Sequence, residues 1–115
     1  MSTIRHDDVG EDLRRIVISG RLDTPGTSLV SARLAELTAA PKKGLVVDLT
    51  AVSFLASIGM SVLITGAKTV KNRGGRMVLV VGENSAIMMS LKTTGIDQLI
   101  PVFRQVADAE KAALS

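Results

Sequence analysis

One serine lies where the sequence changes from an apolar run to a helical pattern, and this position could give its hydroxyl chemistry. An apolar strand is expected at 45–49, a short connection follows it, and Ser57 then begins an amphipathic segment that starts Ser57-Ile58-Gly59-Met60. At a strand-to-helix junction, a hydroxyl lies beside backbone N–H groups that lack intrahelical acceptors and beside the positive end of the helix dipole. Such a hydroxyl can cap the helix, act as a nucleophile or accept a phosphoryl group.

The sequence lacks the partners that a catalytic serine needs. A nucleophile elbow has the pattern G-x-S-x-G, and here Leu55 stands in place of the first glycine. The only histidine is His6, which lies near the N-terminus, where an exposed or edge-strand histidine is the ordinary interpretation. No His, Asp and Glu residues have metal-ligand spacing, and there is no cysteine. The sequence therefore predicts neither an enzyme nor a metal site.

Length and composition indicate one domain that covers residues 1–115. A chain of 115 residues can bury a core without metals or disulfides. No apolar run reaches the roughly 18 residues that a membrane span needs. The first residues also lack the apolar region of a signal peptide. We therefore expect a cytoplasmic protein that does not insert into membranes, and we favour a monomer.

The charge of the chain does not indicate a nucleic-acid partner. The formal net charge is only +3, and the sole aromatic residues, Phe54 and Phe103, leave little for base stacking. Cations near the end of a helix are favoured by its dipole, so we interpret the basic cluster near the end of the second helix as a solvated face. That cluster comprises Lys68, Lys71, Arg73 and Arg76.

Hydrophobic periodicity and turn residues divide the chain into alternating strands and helices. Gly10-Glu11 suits a hairpin turn between the first two strands, and the later alternation implies parallel strands with helical crossovers. The sequence therefore predicts an α/β fold: a mixed sheet with an N-terminal antiparallel hairpin, alternating strand–helix units and about four helices. The expected strands are 3–9, 12–20, 45–49, 77–81 and 99–103, the expected helices are 27–38, 57–73, 85–94 and 108–114, and 20–26 is an expected loop.

Individual side chains carry further expectations. Ser57 and Ser85 should cap their helices through the hydroxyl oxygen. Asp48 should accept backbone N–H bonds in the strand–helix loop, since an unpaired buried acid is costly. For Ile58 and Met60, peripheral packing and an exposed apolar patch are equally open, whereas Met88 should pack in the core. The expected inward faces are Leu29, Val30, Leu34 and Leu37 in the first helix, and Gly59, Leu63, Gly66, Ala67 and Val70 in the second.

Four motifs, in order along nearly the whole chain, give the sequence a family resemblance. Residues 48–60 resemble the phosphoswitch motif of the STAS family of anti-sigma factor antagonists, D-L-x-x-V-x-F-(hydrophobic)-D-S-(S/T)-G-(L/M). Gly20-Arg21-Leu22-Asp23 resembles the G-x-L-D loop of the family. Residues 74–80 resemble its G-G-x strand entry, and residues 91–97 resemble its L-x-x-(S/T)-G helix ending.

The resemblance implies a function for Ser57. Such antagonists bind a serine-kinase anti-sigma factor while unphosphorylated, and they are released when that kinase phosphorylates the serine that Ser57 matches. ATP and magnesium belong to the kinase, so no cofactor is expected on this chain. The implied partner-binding residues are Leu22, Asp23, Thr24, Ala56, Ser57, Ile58, Gly59 and Met60.

Two departures from the motif keep other functions open. Ala56 replaces the acid of the family, and Ile58 replaces its second hydroxyl residue. Both changes lie beside the serine and alter what a kinase would contact. An alternative is a non-switching STAS adaptor subunit in a lipid or solute transport complex. A third alternative is a binder of a small ligand or nucleotide, for which residues 82–85 offer only a generic anion-friendly junction.

Overall fold

Five strands form one mixed sheet in a computed structural model of the protein, which describes residues 2–39 and 42–115. A one-turn 3-10 helix at Ile96–Gln98 precedes the last strand. The strands are β1 (Thr3–Asp8), β2 (Leu13–Leu22), β3 (Gly44–Leu55), β4 (Arg76–Val80) and β5 (Val102–Phe103), and the α-helices are α1 (Thr24–Ala39), α2 (Ser57–Asn72), α3 (Ser85–Thr94) and α4 (Val106–Leu114).

The strand order in the sheet follows the order along the chain, β1-β2-β3-β4-β5. β1 pairs with β2 antiparallel, and every later pair is parallel. Gly10, at φ +80°, lies in the turn between β1 and β2, where the N–H of Val9 donates to the Leu13 carbonyl at 2.8 Å. The prediction of an α/β fold with an N-terminal hairpin and alternating strand–helix units is therefore confirmed.

Alternate residues of the strands enter two separate apolar clusters, one on each face of the sheet. Leu45, Val47 and Leu49 of β3 lie in the larger cluster, to which α1, α2 and α3 contribute. Val46 lies in the smaller cluster, where α4 contributes Ala109. Because strand side chains alternate between faces, this division places α1–α3 on one side of the sheet and α4 on the other.

Helix α1 begins three residues earlier than predicted, and the predicted loop at 20–26 is wrong. β2 continues to Leu22, which is 2% exposed, and only Asp23 separates it from α1. The Asp23 carboxylate accepts the Gly26 N–H at 2.9 Å, and the Asp23 carbonyl accepts the Thr27 N–H at 2.8 Å. Asp23 thus satisfies the amides of the first turn, which lets the helix start there. Leu29 is 64% exposed, so its predicted inward position is wrong.

Strand β3 is seven residues longer than the predicted 45–49 segment, because β2 pairs with it as far as Leu55. β4 pairs with β3 only as far as Asp48. Beyond that residue, the Asn84 Nδ2 donates to the carbonyls of Leu49 at 3.3 Å, Thr50 at 3.3 Å and Val52 at 2.8 Å. Asn84 therefore satisfies carbonyls of β3 where β4 is absent, while β2 pairs with this part of the strand, and the predicted connection before Ser57 is strand.

The second half of the chain follows the prediction with corrected boundaries. Asn84, not Ser85, caps α3, because its Oδ1 accepts the Ile87 N–H at 3.4 Å. Gly95 ends α3 in the left-handed region, at φ +80°, as predicted. Leu99 lies outside β5 and is 67% exposed, so the predicted strand at 99–103 is wrong in its first half. α4 begins two residues before the predicted 108. Met88 packs against the larger cluster, as predicted.

The Asp8 carboxylate should make stability depend on pH in acid. Arg14 donates to Asp8 Oδ1 at 2.7 Å and Oδ2 at 3.2 Å, and Lys42 Nζ lies 3.5 Å from Oδ2. These contacts, chiefly the Arg14 bond, lower the pKa of Asp8 from 3.8 to about 2. A lowered folded-state pKa stabilises the fold above the unfolded pKa, and this contribution is lost as the pH falls from about 4 to 2.

We therefore expect Asp8→Asn to remove part of the acid sensitivity. Urea unfolding of wild type and variant across this pH range measures it. Asp7→Asn is the matched control, because Asp7 lies 3.9 Å from Arg15 in a longer surface contact that contributes little. Parallel pH profiles for wild type and Asp8→Asn would contradict the expectation.

Candidate partner-binding site

The carboxyl ends of β2 and β3 bring two helix N-termini to one edge of the sheet. Leu22 and Leu55, the last residues of these strands, are paired in register. The Ala56 N–H donates to the Leu22 carbonyl at 3.0 Å, so the two chain segments remain joined past the end of the sheet. α1 begins at Thr24 and α2 at Ser57. The predicted partner-binding residues 22–24 and 56–60 therefore lie on neighbouring segments.

Gly59 lets the first turn of α2 pack directly on the strand ends. A Cβ at Gly59 would lie 3.0 Å from the Leu22 Cβ, 3.0 Å from the Leu55 Cδ1 and 3.1 Å from the Leu22 carbonyl oxygen. Farther along the helix, Gly66, Leu63 and Val70 are buried and Ala67 is partly buried. The predicted inward stripe of α2 is confirmed, and Gly59 is a buried packing residue that lies below the partner-binding surface.

Ser57 is exposed, and its hydroxyl does not cap α2. The Met60 N–H donates to the Ala56 carbonyl at 3.1 Å, which makes Ala56 the N-cap residue. Ala56 has an extended backbone, at φ −83° and ψ 169°, and offers no side-chain cap. The prediction that Ser57 caps the helix is therefore wrong, because the helix begins one residue earlier than a cap at 57 would require. The N–H groups of residues 57–59 precede the first intrahelical bond.

Ile58 and Met60 occupy different environments. Ile58 is 42% exposed, whereas Met60 is partly buried and packs against the larger core cluster. The exposed-patch interpretation therefore fits Ile58, and the packing interpretation fits Met60. Among the other predicted partner residues, Thr24 is exposed, Asp23 and Ala56 are half-buried, and Leu22 is buried.

Two residues at this edge were missed by the sequence reasoning. The Arg21 guanidinium stacks on the Phe54 ring, with its Cζ 4.5 Å from the ring centroid. The Arg21 Nε also donates to Asp23 Oδ2 at 3.2 Å. The pKa of Asp23 is lowered, first by the Gly26 N–H bond and then by Arg21. Arg21 occupies the variable position of the G-x-L-D motif, so the motif itself gave no signal for it.

Asp48 makes the kind of contact that was predicted, but in a different place. Its Oδ1 accepts the Thr50 N–H at 2.9 Å and the Thr50 hydroxyl at 2.7 Å. Thr50, whose N–H Asp48 accepts, lies within β3, so the prediction that this N–H belongs to the strand–helix loop was wrong. Across residues 2–39 and 42–115, no group of three His, Cys, Asp or Glu residues could hold a metal ion.

An apolar groove of about 490 Å³ runs between α1 and α2 and ends beside the site. Ile58 lines one end of it, so the exposed isoleucine belongs to both the groove and the edge that carries Ser57. None of the lining residues is charged: Ser31, Leu34, Ala35, Thr38, Ile58, Ser61, Val62, Thr65, Gly66 and Thr69. In the described part of the chain, no helix is long and apolar enough to cross a membrane.

Comparison with known proteins identifies the family. The model of the STAS domain matches residues 5–109, and the chain therefore belongs to the STAS domain family. The sequence resemblance to this family is confirmed.

Solved structures share the fold at low sequence identity. An anti-sigma factor antagonist from Mycobacterium paratuberculosis has a TM-score of 0.90 at 23% identity, with 100% of this chain and 96% of that chain covered. The Bacillus cell fate determinant SpoIIAA in its phosphorylated form has a TM-score of 0.69 at 14% identity, with 96% and 98% covered. The murine anion transporter Slc26a9 has a TM-score of 0.74 at 15% identity, with 97% of this chain but only 22% of the transporter covered.

Proposed function

We propose that this protein is an anti-sigma factor antagonist that acts by partner switching. Unphosphorylated, it binds a serine-kinase anti-sigma factor and displaces the sigma factor. The kinase then phosphorylates Ser57, and the antagonist is released. The protein itself carries no cofactor and performs no catalysis, since ATP and magnesium are held by the kinase. It works in the cytoplasm as a monomer, without contacting nucleic acid.

The exposed Ser57 hydroxyl at the start of α2 carries this proposal. The fold does not use this hydroxyl as a cap, so modification removes no helix-capping bond. A phosphoryl group would add roughly −1.5 to −2 charges, which the helix dipole and the nearby amides favour. Phosphorylation would therefore leave the fold intact and change only the charge and shape of the surface.

The residues around Ser57 explain how that charge would release a partner. Ile58 is 42% exposed beside Ser57, and it must lose its water when a partner docks. A charge at the centre of a surface that is being desolvated opposes docking unless the partner supplies a cation. Thr24 and Asp23, on the neighbouring segment, would form the polar rim of the same surface.

The relatives support this proposal in general terms. The Mycobacterium paratuberculosis protein is described as an anti-sigma factor antagonist, and the Bacillus protein SpoIIAA has been solved in a phosphorylated form. Both share the fold of this chain over nearly its whole length.

The second candidate is a non-switching adaptor subunit of a lipid or solute transport complex. Its support is the fold shared with part of the transporter Slc26a9, together with the Ala56 and Ile58 departures beside the serine. An adaptor would bind its partner without becoming phosphorylated.

Phosphorylation by a purified partner tests the proposal. Serine-kinase anti-sigma factors from the source genome, purified one at a time, would be incubated with this protein and ATP–magnesium. Mapping of the modified peptides should place stoichiometric phosphate on Ser57 and none on Ser57→Ala. Ser85→Ala is the matched control, since Ser85 is also an exposed first residue of a helix and should not affect labelling. Phosphate elsewhere with Ser57 bare would contradict the proposal, and a bound but unlabelled protein would favour the adaptor.

A further inference from the structure

We infer that the Arg21 guanidinium binds the phosphoryl group of phosphorylated Ser57. The inference rests on the proposed function, because it takes Ser57 as the modified residue. It goes further by naming the group that receives the new charge.

Arg21 lies next to the backbone that positions Ser57. It precedes Leu22, whose carbonyl accepts the Ala56 N–H at 3.0 Å, and it is paired in register with Phe54. The tight packing of Gly59 on Leu22 holds the first turn of α2 against the same strand end. Leu22 and Ala56 are joined by this bond, and Arg21 and Ser57 are their direct neighbours in the chain.

The Arg21 guanidinium lies near the end of the sheet, where it contacts both the Phe54 ring and the Asp23 carboxylate. Strand alternation directs the Arg21 side chain away from the face that carries α1 and α2. Its Nε nevertheless donates to Asp23 Oδ2 at 3.2 Å, and the other oxygen of Asp23 accepts the Gly26 N–H at 2.9 Å in the first turn of α1. The Asp23 carboxylate thus connects Arg21 to the edge at which both helices begin.

Arg21 is held weakly in this position and keeps donors for a ligand. Its side chain is 59% exposed, and its contacts are the stack on Phe54 and the one bond to Asp23. Of the three guanidinium nitrogens of Arg21, only Nε donates a hydrogen bond to a residue in 2–39 or 42–115, so the two Nη groups remain for an anion. A guanidinium donates two parallel N–H bonds to a phosphate, which a lysine cannot do.

The charges at this edge favour transfer of Arg21 from Asp23 to the phosphate. Arg21 is the only Lys or Arg in residues 20–26 and 53–61, and Asp23 is the only acid in these segments. Ala56 adds no competing carboxylate beside the serine. A phosphoryl group with roughly −1.5 to −2 charges attracts a guanidinium more strongly than a single carboxylate does. Phosphorylation would then change the partner surface at Ser57 and at Asp23 together.

The second pKa of the phosphoserine reports on this contact. The full chain would be produced with phosphoserine inserted at position 57 during translation, so that no kinase is needed, and titrated by ³¹P NMR. A neighbouring guanidinium favours the dianion and lowers this pKa below its ordinary value of about 6. We expect the midpoint to be about one pH unit higher in Arg21→Gln than in the protein with Arg21.

Arg15→Gln is the matched control, because Arg15 lies on the same strand, beside Asp7, and its loss changes the net charge equally. Its midpoint should equal that of the protein with Arg21 and Arg15 both present. Equal midpoints with and without Arg21 would overturn the inference while leaving the Ser57 switch intact. Absence of kinase labelling would overturn the switch without affecting this titration.

Discussion

Ser57→Asp and Ile58→Asp are each expected to weaken binding to the anti-sigma kinase by about 10- to 100-fold, which corresponds to about 1.4 to 2.8 kcal/mol. Ile58 is 42% exposed in the unbound protein and is covered by the partner in the proposed complex. A carboxylate at 57 or 58 must lose water on docking, and a partner surface that is complementary to an apolar side chain offers no cation to replace that water. Both variants should fold, since an acid in the first helical turn suits the dipole.

Isothermal titration calorimetry against the purified kinase measures these affinities. Ser57→Ala should bind like the wild type and resist release by ATP, because it cannot be phosphorylated. Ala32→Asp is the charge control, since Ala32 is exposed on α1 outside the groove and the site. Equal affinities for the wild type, Ser57→Asp and Ile58→Asp would place the binding surface elsewhere and end the partner-switch proposal.

Among the proposed variants, Asn84→Asp should lower the free energy of unfolding most, by about 3 kcal/mol at neutral pH. The Asn84 Nδ2 donates to three β3 carbonyls, the closest being Val52 at 2.8 Å, while its Oδ1 caps α3. Aspartate keeps the cap but loses the donor and places a carboxylate against carbonyl oxygens. Unpaired half-buried polar groups cost about 1–3 kcal/mol, and the charge adds repulsion.

Urea unfolding at pH 7 and pH 5 tests this expectation. The carbonyl oxygens favour a protonated side chain at 84, so its pKa in the folded variant should rise above the unfolded value. A raised carboxyl pKa destabilises the fold at high pH, and the variant should recover stability as the pH falls towards 5. Asn84→Ala, which loses both roles but adds no charge, should show no such recovery. A variant Asn84→Asp as stable as wild type at pH 7 would show that the β3 edge does not need the amide.

The elements that carry a strong local pattern were predictable from the sequence. The inward stripe of α2 was recognised because Gly59, Leu63, Gly66 and Val70 repeat at helical spacing, and helical spacing decides which residues face a sheet. Gly95 was recognised as the end of α3 because glycine readily adopts the left-handed conformation found there. These features depend on residues that are close together in the sequence.

The features that were missed depend on residues far apart in the sequence. The extension of β3 depends on pairing with β2 and on bonds from Asn84, which lies some thirty positions later, and no pattern within 49–55 indicates either. The first turn of α2 starts where the Ala56–Leu22 bond fixes it, so the cap fell on Ala56 rather than on Ser57. Leu29 fits the helical repeat of α1 almost as well as Val30, and only the position of the sheet shows which is buried.

The same distinction applies to the candidate site. Ser57 and its neighbours were identified from a contiguous motif, and the structure places residues 22–24 beside them as expected. Arg21 was not singled out, because its contacts with Phe54 and Asp23 exist only when β2 and β3 lie side by side.

The match between strand order and chain order has a consequence for how the protein folds. Each strand pairs with the next one along the chain, so every new strand finds its partner already formed. The sheet can therefore grow stepwise during synthesis, but a whole helix separates each parallel pair, such as Leu13–Gly44 and Gly44–Arg76, so each step closes a long crossover and is slow. Helix α4 covers the other face of the sheet and packs against Leu13, Val46 and Val78 from three different strands. The second face of the sheet is therefore covered only when this C-terminal helix docks.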